Sequence, residues 1–268
     1  MLQKYLPSKL LRNYVRGYRV RMEVIQLETV FRPLPARVDQ FIEFYLRDPY
    51  NLINHESGTV TQSAPVMVVG PHNRRKTDLR LAGNYKIFTI HFQPAGFYRL
   101  FGIPMRELIN SGWNAVDIIG NQVLEIHEQM CELSTAGEMI AIVESFLLRK
   151  LLSAGKPFHP VQTAAATILK QEGQIEINTL IKDCNLSLRQ LERKFVEQIG
   201  IPPKLYARIA RFNRALKLKQ EDPDLNWTDI TYELNYFDQM HLIKDFRELS
   251  NDTPSNLFRL LADIPGVF

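Results

Sequence analysis

An internal repeat near the C-terminus constrains this 268-residue chain more than any other feature. The first copy, SLRQLERKF, starts at Ser187, and the second, DQMHLIKDF, starts 51 residues later at Asp238. Each copy begins with a residue type that caps helices, has Leu and Phe four positions apart, and carries a basic residue between them. A proline follows both copies at the same offset, Pro203 and Pro254. The repeat therefore predicts two similar short helices with basic faces, an arrangement suited to two successive turns of DNA.

The first copy predicts the second helix of a helix-turn-helix. A short helix at 179–184 and a tight turn precede it, and the second helix of such a unit enters the major groove. Helical spacing predicts one buried face, formed by Leu188, Leu191, Phe195 and Ile199. The candidate DNA contacts of this unit are Arg189, Glu192, Arg193 and Lys194. Arg bonds guanine, while Lys194 and Arg189 are equally suited to phosphate. Glu192 has two interpretations, an acceptor for cytosine or an ion-pair partner of Arg189.

The second copy predicts the same design. Its inward positions are Leu242, Phe246 and Leu249. Its candidate DNA contacts are Gln239, Met240, Ile243, Lys244 and Arg247. Gln239 is suited to adenine, and Met240 or Ile243 to a thymine methyl group. The alternative is a surface helix with scattered apolar residues.

A basic helix is predicted between the two copies, over residues 204–219. It carries Arg208, Arg211, Arg214, Lys217 and Lys219. Sixteen helical residues span about 24 Å, which with the flanking turns separates two reading helices by about one DNA turn. Arg208 is a further candidate DNA contact, whereas Arg211 and Arg214 are also suited to ion pairs within the fold.

The rest of the chain divides by its periodicity. Residues 1 to about 110 predict short strands punctuated by Pro and Gly, as in a barrel or sandwich. Residues 114–152 have helical spacing, which predicts a pair of helices. We expect this helical pair to pack on its own β-rich domain, against a second subunit, or both. Residues 153–160 predict a linker. Seven helices follow from residue 161, and Ser187 with Gln190 predicts a capping box at the third.

Composition narrows the class of protein. The sequence has no stretch of 18 apolar residues, so no membrane span is predicted. No secretory signal is visible. The two cysteines, Cys131 and Cys184, match no metal-site spacing. We therefore expect buried free thiols and a cytoplasmic protein. Residues 187–219 carry nine Lys or Arg against two Asp or Glu, whereas 220–268 are acidic overall. DNA contact is accordingly expected mainly in the first copy.

Evidence for catalysis is weak. The candidate metal ligands His55, His72 and His91 lack the spacing of a cupin metal site, and no phosphate loop or nucleophile elbow is visible. We expect no enzyme activity, metal or cofactor. The basic turn at 74–76 is suited to an anionic effector, or is simply a solvated loop.

Residues 160–262 resemble the DNA-binding domain of the AraC family of bacterial transcription regulators. The residues that carry the resemblance in the first unit are Leu180, Ser187, Leu191, Arg193, Phe195, Gly200, Pro203 and Tyr206. Those in the connecting helix and second unit are Arg211, Ala215, Leu218, Ile230, Tyr236, Asp238, Leu242, Phe246 and Pro254. The N-terminal region resembles the β-rich part of some regulators of this family, through Val69–Pro71, His91–Gly96 and Leu100–Pro104.

The resemblance implies an α+β chain, with a β-rich, cupin-like barrel and flanking helices before an all-α, seven-helix double helix-turn-helix domain. The implied division is 1–152 for sensing or dimerisation, 153–160 as linker and 161–268 for DNA binding. The implied partners are double-stranded DNA, a small-molecule effector, RNA polymerase and a second copy of the chain, with no membrane. Turn glycines of the family are replaced by Asn185, Asn235 and Asn251, which we expect to adopt the left-handed conformation. The alternative function is a protein-interaction adaptor that keeps the fold but not DNA readout by its second unit.

Overall fold

The computed structural model describes residues 1–262, apart from the side chains at 26–28, 154 and 262. Its β-strands are β1 (Leu2–Tyr5), β2 (Val15–Pro33), β3 (Phe41–Tyr45), β4 (Asn51–Asn54), β5 (Val60–Gln62), β6 (Val66–Val69), β7 (Thr77–Phe92) and β8 (Gly112–Asn114). They form one antiparallel sheet in the order β1-β2-β7-β3-β6-β8, with β4 pairing with β5 and with β7. A β-rich N-terminal part followed by helices confirms the predicted α+β class.

Strands β2 and β7 are much longer than the short strands predicted from the sequence, and that prediction is wrong for both. They contain 19 and 16 residues and pair from Val15 opposite Phe92 to Pro33 opposite Asp78. The register shifts between Ile25 and Val30, and such an irregularity lets a long strand pair bend. As a result, β7 pairs with β4 through its first half and with β3 through its second half.

Helices close one side of the sheet. They are α1 (Gly96–Phe101), α2 (Ala115–Ile119), α3 (Gln122–Glu132) and α4 (Ala136–Ala154), with a 3-10 turn at Met105–Glu107. Helix α1 lies in the segment predicted to be mainly strand. Apolar residues of α3 and α4, including Ile126 and Phe146, share a core with Phe88 and Ile90 of β7. The helical pair therefore packs on its own β-rich domain, and its use in dimerisation stays a prediction.

Up to residue 262, where the described part of the chain ends, seven helices follow, as the sequence predicts: α5 (Pro160–Lys170), α6 (Ile177–Cys184), α7 (Leu188–Ile199), α8 (Pro203–Glu221), α9 (Trp227–Glu233), α10 (Gln239–Ser250) and α11 (Pro254–Ala262). The capping box of Ser187 and Gln190 is confirmed. Within residues 1–262, no helix is long and apolar enough to cross a bilayer. Both cysteines are free, but only Cys184 is buried, so the prediction of a buried thiol is wrong for Cys131.

Three asparagines at or directly after helix ends of the C-terminal domain adopt the left-handed conformation. The φ angles of Asn185, Asn235 and Asn251 are 50°, 52° and 59°. This confirms the prediction for these positions, because Asn tolerates that conformation better than most residues with a Cβ. The turns inside both helix-turn-helix units therefore form without glycine.

Candidate nucleic-acid interface and interdomain cavity

Helix α7 presents the first predicted reading face to solvent. Arg189, Glu192 and Arg193 are exposed, while Leu191 and Phe195 on the other side are fully buried. The prediction that Leu188 belongs to the core is wrong, since 49% of its surface is exposed. It is the first residue of the helix, and the helix reaches the core only at Leu191. These three predicted side chains thus lie on one exposed surface of α7, where they do not form part of the protein core.

Lys194 differs from these three because it is already paired. Its Nζ donates to Glu197 at 2.9 Å, and the Tyr98 hydroxyl of α1 donates to the other carboxylate oxygen at 2.8 Å. Burial opposes ionisation of Glu197, but the hydrogen bonds from Lys194 and Tyr98 hold its pKa below the ordinary value. The group ties α7 to the N-terminal domain. A DNA contact by Lys194 stays a prediction, and it would compete with this ion pair.

Helix α10 presents the second predicted reading face. Asp238 caps it by accepting from the backbone N–H of His241 at 2.7 Å. Buried residues hold the inner face, namely Leu242, Phe246 and Leu249. The predicted contacts Gln239, Met240, Lys244 and Arg247 are exposed, and Ile243 is half-buried. The outer face is therefore more apolar than that of α7, with fewer charged groups.

Helix α8 links the two units and holds α10 in place. The Arg208 guanidinium donates to Asp245 at 2.6 Å and to Glu248 at 2.5 Å, both on α10. Arg208 therefore lies in an ion-pair group within the domain, and its predicted role as a DNA contact would require those bonds to break. Arg214 pairs with Glu172 at 2.8 Å, as expected for a residue that stabilises the fold.

Hydrogen bonds join the two domains at positions for which the sequence gives no signal. The backbone N–H of Ala36 donates to the Leu249 carbonyl at 2.9 Å. The Asn213 side-chain amide of α8 donates to the Ala36 carbonyl at 2.9 Å. Gln40 donates to the carbonyl of Ile199, the last residue of α7, at 3.4 Å. The segment between β2 and β3 thus contacts α7, α8 and α10.

The basic turn at 74–76 contributes to the same interface. Arg74 and Lys76 both pair with Glu56, and Arg75 pairs with Asp78 at 2.5 Å. Arg75 also lies 3.5 Å from Asp252 in the C-terminal domain. The charges of this turn are therefore matched by protein carboxylates, which favours a structural role over anion binding.

A cavity of about 560 Å³ lies between the concave side of the sheet and α8. Residues of neighbouring strands face it in register: Arg19, Thr89 and Glu43 form one row, and His91 and Phe41 form another. The α8 residues that line it are Ala210, Asn213, Arg214 and Lys217. Sequence reasoning missed this cavity because Arg19 and Arg21 of β2 line it, whereas the apolar face of the strand, with Tyr18 and Val20, lies in the core on the other side.

Arginines dominate the polar part of the cavity wall. Burial lowers the pKa of Arg19, and the neighbouring Arg16 lowers it further. Burial also lowers the pKa of Arg37, whose guanidinium stacks on Phe41 with its carbon 4.7 Å from the ring centroid. Burial opposes ionisation of Asp39, yet Arg16 beside it lowers the Asp39 pKa to about 2. The wall is thus rich in positively charged side chains, several of them largely buried.

The three candidate metal-ligating histidines are dispersed. His55 lies 3.1 Å from Asp78. His72 and His91 line the cavity, and burial, followed by neighbouring arginines, lowers both of their pKa values to about 3. Both rings are therefore neutral near pH 7. Among the described residues, no three His, Cys, Asp or Glu side chains are close enough to share a metal ion.

Two family models match separate parts of the chain. Residues 180–259 match a family model described as a helix-turn-helix domain, and residues 3–114 match a domain of unknown function, DUF6597. No curated protein matches the chain.

Two solved structures of ToxT are similar in fold. One, from Vibrio cholerae, is 10% identical with a TM-score of 0.50, covering 91% of this chain and 98% of that chain. The other, from Vibrio cholerae O395, is 12% identical with a TM-score of 0.50, covering 92% of this chain and 99% of that chain. At this identity the likeness concerns the fold alone. The chain thus has a ToxT-like fold, with a β-rich N-terminal part and a C-terminal region that matches a helix-turn-helix domain over residues 180–259.

Proposed function

We propose that this chain is a cytoplasmic, sequence-specific DNA-binding transcription regulator, not an enzyme, whose DNA affinity is set by a small-molecule effector in the interdomain cavity. The observation that carries the proposal is the position of α8. This helix lines the cavity through Asn213, Arg214 and Lys217, and holds the second reading helix through Arg208.

The DNA-binding part of the proposal rests on two exposed helix faces with similar surroundings. Arg189 and Arg193 of α7 project from the first face, and Gln239 and Lys244 of α10 from the second. Both helices have a capped N-terminus and a buried apolar side that fixes their orientation. Arg and Gln are suited to base edges in the major groove, where a helix of this size fits.

The effector part rests on what a ligand in the cavity would contact. A ligand bonded to Arg214 or Lys217 would touch the helix that connects the two reading units. It would also touch the sheet, because Arg19 and His91 line the same space. Such a ligand changes DNA affinity only by binding one relative arrangement of the domains better than another. RNA polymerase and a second copy of the chain stay predicted partners.

The decisive experiment is selection of DNA from a random pool by the full-length chain, followed by gel-shift titration across salt concentrations. We expect a bipartite site of about 15–20 base pairs with half-sites about 10 base pairs apart, one helical turn. Affinity should fall steeply with salt, because bound phosphates release counterions. Recovery of no preferred sequence at physiological salt would contradict the proposal.

A second candidate function is a protein-interaction adaptor, and the surface near α10 favours it. Phe237 is 90% exposed and Tyr232 is 74% exposed, beside the acidic Glu233 and Asp238. Exposed aromatic side chains of this kind are common at protein interfaces. The adaptor predicts a flat salt response and no effect of Lys244→Ala on DNA. Two-unit DNA binding predicts weaker affinity in that variant for every sequence or for one base position.

A further inference from the structure

Helix α7 has two halves with different surroundings. Arg193, in its N-terminal half, is exposed to solvent. The C-terminal end of the helix is attached to the N-terminal domain, because Gln40 donates to the Ile199 carbonyl at 3.4 Å. A Cβ at Gly200, directly after the helix, would lie 3.0 Å from side chains of that domain. Lys194 begins the attached half, next to the exposed reading face.

Glu197 holds Lys194 at this boundary. The Lys194 Nζ donates to Oε2 of Glu197 at 2.9 Å, and the Tyr98 hydroxyl of α1 donates to Oε1 at 2.8 Å. The two donors use different oxygens, so both bonds exist at once. The Lys194 and Glu197 side chains are 32% and 25% exposed. The pair is therefore partly withdrawn from water, yet Lys194 still reaches the surface.

Tyr98 strengthens the pair between Lys194 and Glu197. Exposed ion pairs on a helix contribute little to stability, because two long side chains must be ordered to form each of them. Here the bond from Tyr98 already orders the Glu197 carboxylate, so only Lys194 has to be ordered. The N-terminal domain thereby stabilises a contact within the first reading helix.

The segment before α5 lies close to the same pair. His159 caps α5, since its Nδ1 accepts from the backbone N–H of Val161 at 3.3 Å. Burial lowers the pKa of His159, Lys194 lowers it further, and Glu197 acts the other way. Both α7 side chains are therefore close enough to interact with His159. Helix α1, helix α7 and the segment between the domains thus meet at this ion pair.

A DNA phosphate would bind Lys194 through the ammonium group that donates to Glu197. Lysine binds carboxylate and phosphate oxygens alike as a compact point charge, so the two acceptors compete for it. Release of Lys194 does not leave Glu197 without a donor, because Tyr98 stays bonded to it. Burial raises the pKa of Glu197, and nearby Arg106 is among the groups that lower it. The carboxylate therefore keeps favourable neighbours when Lys194 leaves.

We infer that Glu197 occupies Lys194 in place of a DNA phosphate, and that the bond from Tyr98 keeps Lys194 from DNA while the domains are in contact. This autoinhibitory contact rests on the proposed function, because it concerns the regulation of the α7 reading face. A movement that separates α1 from α7 weakens the pair and gives DNA one more cation.

The test is gel-shift titration of the full-length chain on the selected operator across salt concentrations. The slope of log affinity against log salt steepens by about 0.9 for each phosphate bound. Glu197→Gln should raise affinity about 3-fold or more and steepen the slope by about 0.9, because Lys194 becomes available. Lys194→Gln should remove both gains in the Glu197→Gln chain and change the slope much less in the original chain.

Two further variants separate the pair from general charge effects. Asp183 is an exposed carboxylate on α6 of the same unit, so Asp183→Asn removes a negative charge but leaves the pair intact. Lys194→Gln should have the same effect in the Asp183→Asn chain as in the original chain. Tyr98→Phe removes only the hydroxyl, and should give a smaller gain than Glu197→Gln that Lys194→Gln again removes. If Glu197→Gln unfolds the chain, Tyr98→Phe tests the same pair.

Three results would overturn the inference. An equal effect of Lys194→Gln on the slope in the original and Glu197→Gln chains would show that Glu197 does not withhold Lys194. No effect of Lys194→Gln in either chain would show that Lys194 does not face DNA. Unchanged affinity in Tyr98→Phe would show that the N-terminal domain does not control the pair.

The two proposals fail separately. If no operator is selected, the same titrations use a mixed-sequence duplex of about 30 base pairs, roughly three helical turns, because phosphate contacts carry no sequence information. A chain that shows the expected slopes on this duplex but selects no sequence keeps this inference and loses the proposed regulator. A chain that selects an operator but lacks the dependence on Lys194 loses only this inference. Failure to bind any duplex would overturn both.

Discussion

At the residue scale, surroundings distinguish basic side chains that the sequence treats alike. Arg193 and Arg208 both belong to predicted DNA-contacting helices, but Arg193 is exposed on α7, whereas Arg208 is bonded to two carboxylates of α10. An exposed guanidinium keeps its donors for a base edge. A guanidinium that is already bonded to carboxylates must first lose those bonds. We therefore expect Arg193 to affect DNA affinity and Arg208 to affect the stability of the fold.

Arg193→Ala should weaken operator binding by about 1–3 kcal/mol and relax the preference at one base position. The reason is the loss of a two-donor contact to one base, with little change in the stability of the fold. Gel-shift titration of the selected operator and its single-base variants measures both effects. Arg149→Ala is the matched control on α4, and unchanged operator affinity in Arg193→Ala would show that α7 presents the wrong face.

Asn185 tests the turn of the first helix-turn-helix unit. Its φ of 50° disfavours residues with a Cβ, though Asn less than most. Asn185→Ala should lower the free energy of unfolding by about 1 kcal/mol, whereas Asn185→Gly should leave it nearly unchanged or raise it slightly. Urea unfolding compares the two. Equal stabilities of the Ala and Gly variants would argue against strain at this turn.

The buried histidines predict how stability depends on pH. The unfolded chain binds a proton at each histidine near pH 6.5, but His72 and His91 do so only near pH 3 when folded. The unfolded state therefore gains protons first, and stability falls as pH drops below about 6.5, by about 1.4 kcal/mol per buried histidine at about pH 5.5. Urea midpoints from about pH 8 to 5 measure the loss. His72→Asn should make the dependence of stability on pH shallower. An identical dependence in the variant and the original chain would contradict the assignment of His72 as a buried, neutral side chain.

At the element scale, α8 connects the cavity to the second reading helix. Asp245 is buried on α10, and its carboxylate accepts hydrogen bonds from both Nε and Nη2 of Arg208 on α8. A buried carboxylate that loses a cation bonded to it destabilises the fold by several kcal/mol. The position of α10 thus depends on a side chain of the connecting helix.

Arg208→Met should destabilise the chain by about 3 kcal/mol, because it strands the Asp245 carboxylate. The double variant Arg208→Met with Asp245→Asn should recover much of the loss, since the stranded charge is then removed. Thermal unfolding of the single and double variants measures the coupling. Additive losses would show that the two residues do not act as a pair, and a selective loss of DNA binding at full stability would favour direct contact with DNA.

The elements differ in how far the sequence predicted them. The seven C-terminal helices, the capping box and the asparagine turns follow from local rules, because helical periodicity and caps act within a few residues. Strand β2 does not, since the alternation of Tyr18 and Val20 with Arg19 and Arg21 predicts one buried and one solvated face, whereas the arginine face lines the cavity. The cavity was missed for the same reason, and its α8 wall depends on contacts between residues more than 100 positions apart. The predicted DNA contacts and domain boundaries stay predictions.

At the scale of the whole molecule, the interface between the domains decides whether a ligand in the cavity can influence the reading helices. Gly200 ends α7 at the point where the helix meets the N-terminal domain. A Cβ there would lie 3.0 Å from side-chain atoms of both Pro71 and Ile109, and 3.1 Å from the Met105 carbonyl. These three neighbours all belong to the other domain. The close approach of α7 therefore depends on the absence of a side chain.

Gly200→Ala should move α7 away from the N-terminal domain. Its φ of 103° also disfavours alanine, so a loss of stability alone proves little. Gly173→Ala is the matched control, because Gly173 has a φ of 79° and its Cβ would meet Ala207 and Arg211 within the C-terminal domain. Both variants should unfold at lower temperature. Only Gly200→Ala should speed protease cleavage of the exposed 155–159 segment under conditions where the fold persists, because it loosens the contact between α7 and the N-terminal domain. If both variants are cleaved alike, the interface does not depend on Gly200, and coupling between cavity and DNA would have to run through Asn213 and Ala36 instead.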